Sequence, residues 1–114
     1  MWRIAVYGAL AGLICSPSVA QPIDGRWAAS QYACDADGAT RLEAPLLVAG
    51  QTLGWFTSVC TVVSSYKVGQ AYFLQARCFS EGRTSEIPAM LEPRGAGLRV
   101  GWNREPIVEL QRCR

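Results

Sequence analysis

The sequence contains no histidine. Histidine is the base of Ser-His-Asp and Cys-His active sites and a frequent zinc ligand. Its absence therefore excludes these catalytic pairs and histidine-ligated metal sites. Lysine is nearly absent as well, because Lys67 is the only one, and we expect it in an exposed turn. A Ser-Lys catalytic pair, whose lysine needs burial or a neighbouring charge, is therefore not expected.

Metal and phosphate motifs are also missing. The sequence has no Cys-x-x-Cys pair, no Gly-rich phosphate loop and no dinucleotide-binding fingerprint. The stretch Asp35-x-Asp37-Gly38 resembles the start of a calcium loop, but Thr40 and Leu46 stand where that loop needs Gly and Glu. We therefore interpret the stretch as a solvated turn and expect neither a metal site nor a cofactor.

Acidic residues offer the remaining enzymatic possibility. Two facing carboxylates can hydrolyse a glycosidic bond, and Asp35, Asp37 and Glu81 are the candidates. No feature of the sequence brings them together. A carboxylate-dependent hydrolase is therefore a minor alternative, and we predict no catalytic residues.

The charges almost cancel, with 11 basic and nine acidic residues. A near-neutral chain has no strong electrostatic attraction to nucleic acid or to an anionic membrane surface. We therefore expect no nucleic-acid partner.

The N-terminus reads as a secretory signal peptide. Arg3 precedes an uncharged, mainly apolar run from Ile4 to Cys15, and Ser18-Val19-Ala20 ends in the small residues that signal peptidase requires. The apolar run is shorter than the roughly 20 residues needed to span a bilayer. We predict a cleaved signal over residues 1–20 and a single domain over residues 21–114, located in the periplasm or outside the cell and not inserted in a membrane.

A lipoprotein is the alternative interpretation of the same segment. Cys15 would then carry the lipid, but Ile14 stands where the lipoprotein peptidase prefers a small residue. Cleavage before Gln21 is the favoured prediction.

Four cysteines follow the predicted signal, and an even number in a short exported chain predicts two disulfides. Cys60 and Cys78 are equally far from Gly69, so a hairpin turn centred there would place them opposite each other. This arrangement predicts Cys60 with Cys78 and Cys34 with Cys113. A one-residue slip would instead favour Cys34 with Cys60 and Cys78 with Cys113.

The same hairpin register pairs Tyr66 with Tyr72 and Val62 with Ala76 on the face that we expect to be buried. The opposite face then carries Phe73, together with Phe79 further along the strand. Trp27 and Trp102 are expected in the core, because they lie in alternating strand contexts.

Alternating apolar and polar residues recur along the domain, and helical periodicity does not. Gly, Pro and Asn separate the alternating runs, which indicates an all-β fold: a small antiparallel barrel or sandwich of about 6–8 short strands, cross-linked by disulfides. The predicted strands cover residues 25–27, 46–49, 52–56, 58–66, 71–79, 84–91, 98–102 and 107–112. Residues 67–70 form the predicted turn of the central hairpin.

The candidate binding residues lie at the next turn, Ser80-Glu81-Gly82-Arg83. A disulfide at Cys78 would anchor this turn, and an anchored loop loses little entropy on binding. Phe79, Glu81 and Arg83 are therefore the predicted binding residues.

Several short motifs carry a resemblance: the Gly25-x-Trp27 opening, the Cys78-x-x-Glu81-Gly82 turn, the Leu110-x-Arg112-Cys113 ending and the four cysteines. With them the chain resembles a group of short exported bacterial proteins that carry no established activity. The opening is also similar to that of lipocalin-like barrels and of small periplasmic inhibitors of secreted metalloproteases. The resemblance implies an exported β domain.

These observations together predict a periplasmic or secreted binding module whose partner is a protein or another component of the envelope, with inhibition of an envelope or extracellular protein as one form of that activity. Nine aromatic residues and abundant arginine in residues 21–114 suit a binding surface, because Trp, Tyr and Arg dominate interface hot spots. The alternative, from a different class, is a structural component of the cell envelope with no discrete ligand.

Overall fold

The computed structural model describes residues 23–35 and 40–114. The predicted signal peptide lies outside the described residues. The described part of the chain contains two short helical segments, α1 (Gln31–Cys34) and a 3₁₀ turn (Arg41–Glu43). Within the described ranges, no helix is long and apolar enough to cross a membrane. The strands are β1 (Gly25–Ala28), β2 (Leu46–Ala49), β3 (Thr52–Trp55), β4 (Ser58–Val68), β5 (Ala71–Ser80), β6 (Arg83–Arg94), β7 (Gly97–Trp102) and β8 (Val108–Arg112).

The eight strands form a closed antiparallel barrel. Each strand pairs with the next along the chain, and β1 pairs with β8 to close the circle through Trp27 with Arg112 and Ala28 with Gln111. The all-β prediction is confirmed, and of its two forms the protein adopts the barrel. Closure removes the free edges that an open sheet of this length would expose.

Alternate residues of the strands form the core of the barrel, although residues 63–68 at the end of β4 are all exposed. In β7, for example, Leu98, Val100 and Trp102 are buried, while Arg99 and Gly101 between them are half-buried. Trp27 and Trp102 are both in the core, as predicted. Removal of this apolar surface from water is the main favourable contribution to folding.

Both predicted disulfides are present. Cys60 and Cys78 face each other across β4 and β5 with their Cα atoms 4.0 Å apart. Cys34, at the end of α1, is bonded to Cys113 just after β8, with a Cα separation of 5.7 Å. The pairing argued from the symmetry about Gly69 is confirmed.

The predicted register of the central hairpin holds only for its first part. Cys60 pairs with Cys78 and Val62 with Ala76, as expected, but a β-bulge follows between Val62 and Ser64. Val63 is the extra residue. A bulge of this kind shifts the pairing by one and exchanges the faces of all later residues on its strand.

The pairing beyond the bulge therefore differs from the prediction. Tyr66 pairs with Phe73 and not with Tyr72, whose partner is Lys67. Tyr66 is 65% exposed, so its predicted burial is wrong. Its ring stacks on Phe73 at a centroid distance of 5.3 Å.

The turn of this hairpin is also shorter than predicted. It consists of Gly69 and Gln70, since β4 extends through Lys67 to Val68. The Lys67 ammonium group lies 5.1 Å from the centre of the Tyr72 ring. The lysine therefore belongs to a strand, although it is exposed as expected.

Candidate binding site at one end of the barrel

Antiparallel neighbours place their connections alternately at two ends of the barrel. We call one the glycine end, which carries the turns Gly50-Gln51, Gly69-Gln70 and Gly95-Ala96. The other is the cleft end, which carries the turns Phe56-Thr57 and Glu81-Gly82 and the loop of residues 103–107. The two ends differ in the types of residue that have positive φ angles.

At the glycine end, each turn begins with a glycine in the left-handed region. The φ angles of Gly50, Gly69 and Gly95 are 61°, 60° and 58°. A Cβ atom added to any of them would meet nothing within 4 Å. Glycine is therefore required here by backbone conformation and not by crowding, as in ordinary two-residue hairpin turns.

At the cleft end, side-chain-bearing residues also have positive φ angles, beside Gly82, whose φ is 80°. The φ angles of Phe56, Glu81 and Asn103 are 57°, 53° and 58°, and these are the non-glycine residues with positive φ in the described part of the chain. Asparagine tolerates this region, but for Phe and Glu it costs about 1–2 kcal/mol each. Such strain tends to collect at functional sites.

A cleft of about 620 Å³ opens into the barrel at this end. This volume lies within the usual range for small-molecule sites. The lining is mainly apolar and comes from β3, β7, β8 and three connecting segments. It includes Trp55, Val100, Trp102, Val108, Phe56 and Leu42.

Two tryptophans form the wall of the cleft. The rings of Trp55 and Trp102 meet edge to face, with centroids 5.2 Å apart and an interplanar angle of 89°. The Trp55 indole N–H donates to the backbone carbonyls of Arg41 and Ala44 at 2.8 and 3.1 Å. These bonds fasten the 3₁₀ turn to the barrel.

Trp102 differs from the other buried tryptophans. The Trp27 indole N–H donates to the Ile23 carbonyl at 2.9 Å, and that of Trp55 is bonded as described. Trp102 is only 5% exposed, yet its indole N–H makes no hydrogen bond with any described residue. A buried tryptophan N–H ordinarily has a partner, so Trp102 is the exception among the three buried tryptophans.

One ion pair lies at the rim of the cleft. The Arg41 guanidinium contacts the Glu105 carboxylate, and it also lies 5.8 Å from the centre of the Trp55 ring. Both charged residues line the cleft. Because they neutralise each other, the rim presents polar groups without a net charge.

The predicted binding residues border this end but do not share one face. Phe79 is 56% exposed on the outer face of β5, where it pairs with Val59 and Thr84. Glu81 is exposed in the turn, and Arg83 pairs with Ser80 on the opposite face of the hairpin. The predicted trio therefore includes one of the strained turn residues.

The outer face beside Phe79 is apolar. Cross-strand pairs continue from Phe79 through Val59 and Gly54 to Leu47, and Leu47, Val59 and Phe79 are exposed. A groove of about 610 Å³ lies along this row. Sequence reasoning found Phe79 but missed the row, because its members come from four different strands.

The candidate carboxylates are not assembled into a site in the described residues. Asp35 lies 3.5 Å from Arg26 in an exposed ion pair, while Glu81 lies in the β5–β6 turn. Asp37 and Gly38 lie outside the described residues. Within the described ranges, no group of three or more Cys, Asp or Glu residues could hold a metal ion.

Comparison with protein-family models, with curated proteins and with solved structures gives no match to this chain. The function must therefore be inferred from the geometry and chemistry of the chain itself.

Proposed function

We propose that the protein is an exported binding module that contacts a protein partner with its cleft end. The observation that carries this proposal is the contrast between the two ends. Three turns at the glycine end begin with glycine at positive φ. At the cleft end, Gly82 also has a positive φ, but so do the side-chain-bearing residues Phe56, Glu81 and Asn103. At these three positions glycine would be less strained than the residue that is present.

Retaining these side chains has a physical reason if they make contacts outside the chain. All three are exposed, so burial within the barrel contributes little in return for the strain. Short turns on a rigid scaffold also present side chains with little ordering entropy left to lose on binding. The cross-linked barrel is such a scaffold.

The location supports the same proposal. Two disulfides indicate that the chain folds in an oxidising, non-cytoplasmic compartment. The signal-like segment of residues 1–20 would deliver it there. A partner in the cell envelope or outside the cell fits this route, and inhibition of that partner is one form of the activity.

Affinity capture from envelope extracts tests the proposal with three immobilised, oxidised proteins. These are the wild type, the cleft-end variant Phe56→Gly/Glu81→Gly/Asn103→Gly, and a glycine-end control, Gln51→Ser/Gln70→Ser. We expect a protein that the wild type and the control retain and that the cleft-end variant loses. Hot-spot residues contribute at least about 1–2 kcal/mol each.

Thermal unfolding of all three proteins must accompany the capture, so that loss of binding is not loss of fold. Equal retention by the cleft-end variant and the wild type would contradict the proposed binding face. Loss in the glycine-end control alone would place the contact at the opposite end.

Export has a separate test. Intact-mass analysis of the exported protein is expected to show a chain that begins at Gln21 and contains two disulfides. A species that retains Met1, or that carries a lipid on Cys15, would contradict the predicted cleavage.

A further inference from the structure

We infer that the cleft between Trp55 and Trp102 is a second binding site, for an uncharged, ring-containing small molecule that carries one hydrogen-bond acceptor. The ligand would enter the barrel at its end, whereas a protein partner would contact the rim. The two sites share Phe56, but they differ in the class of molecule that they would bind.

The apolar lining of the cleft favours a ligand that is mainly apolar. Trp55, Val100 and Trp102 are buried core residues that also line the cleft. Leu42 and Phe56, at 50% and 44% exposed, are the more accessible apolar members of the lining. An apolar molecule between these groups would remove ligand and protein surface from water together, and planar rings suit the faces and edges of aromatic side chains.

The Trp102 indole N–H sets the polar group. No described residue accepts a hydrogen bond from this donor. An oxygen or nitrogen acceptor on a ligand that reaches it would therefore compete only with solvent and not with another protein group. Trp55 cannot provide the same interaction, because its N–H already donates to Arg41 and Ala44.

The ion pair at the rim of the cleft favours a ligand without charge. Arg41 and Glu105 satisfy each other, so an anionic ligand would have to separate them or lie unpaired beside an apolar wall. Burying a charge without a partner is costly. A neutral ligand meets both groups without disturbing their contact.

Three matched probes test the inference on the purified, oxidised wild-type protein. 2-Acetylnaphthalene carries one carbonyl acceptor, 2-ethylnaphthalene has a similar shape without an acceptor, and 2-naphthoate carries a negative charge. Binding is followed by the indole N–H signals in ¹H–¹⁵N NMR spectra. Trp55 lines the cleft and is a second reporter, which remains in the Trp102→Phe variant, whereas Trp27 lies outside the lining and provides the internal reference.

We expect the ketone to shift the Trp102 signal saturably and to bind about three- to tenfold more tightly than the ethyl compound, as for one hydrogen bond. The naphthoate is expected to bind less tightly than the ketone. Absence of a saturable Trp102 shift, or equal affinity for the first two probes, would overturn the inference. Tighter binding of the naphthoate would overturn the neutral ligand class.

Two variants sharpen the test. Trp102→Phe keeps an aromatic ring but removes the donor, so the preference for the ketone over the ethyl compound should disappear. Trp27→Phe removes an indole that does not line the cleft and should keep the preference. Loss of preference in both variants, or in neither, would contradict the assignment to Trp102.

The wild-type probe comparison stands even where a variant fails to fold. It also uses the protein alone, so its result is independent of the capture experiment. If the cleft binds the ketone and no protein is captured, the ligand site is supported and the protein-binding surface is contradicted. If a protein is captured and the ketone does not bind, the protein-binding surface is supported and the ligand site is contradicted.

Discussion

The guanidinium carbon of Arg112 lies 4.2 Å from the centre of the Trp27 ring. Arg112 belongs to the last strand and Trp27 to the first, and their pairing is one of only two residue pairs that join these strands. Arg112 also donates to the Asp24 carbonyl at 2.9 Å. The Arg112 side chain therefore stabilises the contact between β1 and β8, which has the fewest residue pairs of any strand pairing in the barrel.

Replacement of this side chain should weaken the closure. We expect Arg112→Ala to lower the free energy of unfolding by about 1–2 kcal/mol, from the lost cation–π contact and hydrogen bond. Urea unfolding measures the change. Arg94→Ala, at an exposed position on β6, is the control and should stay within about 0.5 kcal/mol of the wild type. Equal effects of the two substitutions would deny Arg112 a special role.

The disulfide between Cys34 and Cys113 should be the more stabilising cross-link. It joins residues 79 positions apart, against 18 for Cys60 and Cys78. In the chain-entropy description, the longer loop contributes about 4.5 kcal/mol and the shorter about 3 kcal/mol. We expect Cys34→Ala/Cys113→Ala to lose about 4 kcal/mol of unfolding free energy in urea. A loss below about 1 kcal/mol would show that the barrel closes firmly without the bond.

The corrected register predicts which aromatic residues interact. Tyr66 and Phe73 stack across β4 and β5, so a double-mutant cycle with Tyr66→Ala and Phe73→Ala should give a coupling energy of about 0.5–1.5 kcal/mol. The matched cycle for Tyr66 and Tyr72 should give almost none. A larger coupling energy for Tyr66 with Tyr72 than for Tyr66 with Phe73 would support the register without the bulge.

Backbone strain at the cleft end predicts an unusual stabilising substitution. Glu81→Gly should raise the free energy of unfolding by about 0.5–1 kcal/mol, because relief of strain exceeds the entropy that glycine adds to the unfolded chain. Gly69→Ala is the matched opposite. It should lower stability by about 1 kcal/mol, since its cost is conformational and its Cβ meets no neighbour. Thermal or urea unfolding distinguishes the two signs.

Much of the fold follows from local features of the sequence. The turns at Gly50, Gly69 and Gly95 can be recognised in the sequence, because a positive φ angle favours glycine. The symmetric spacing of Cys60 and Cys78 about one of these turns then predicts their bond. The predicted bond is correct although the register is not, because the bulge lies between Val62 and the turn. The extra residue in β4 is offset by a shift in the position of the turn, so Cys60 still pairs with Cys78.

Other features depend on closure of the barrel and leave little local trace. Val63 has no glycine beside it to mark a bulge, and the Phe56-Thr57 turn lacks the usual turn residues. Trp55 and Trp102 lie on β3 and β7, which do not pair in the sheet, so their contact arises only when the strands curve round. The cleft could therefore not be predicted from the sequence.

The order of strands has a consequence for folding. Seven of the eight pairings join strands that are consecutive in the chain, and only β1 with β8 spans the whole domain. Long-range pairings carry the greater loop-closure cost, so we expect the closing contact to form last. Until then the protein is a sheet with two unprotected edge strands, which can recruit other chains. Oxidation of Cys34 and Cys113 thus acts as a safeguard against self-association, and a reducing compartment would prolong the interval in which the protein can aggregate.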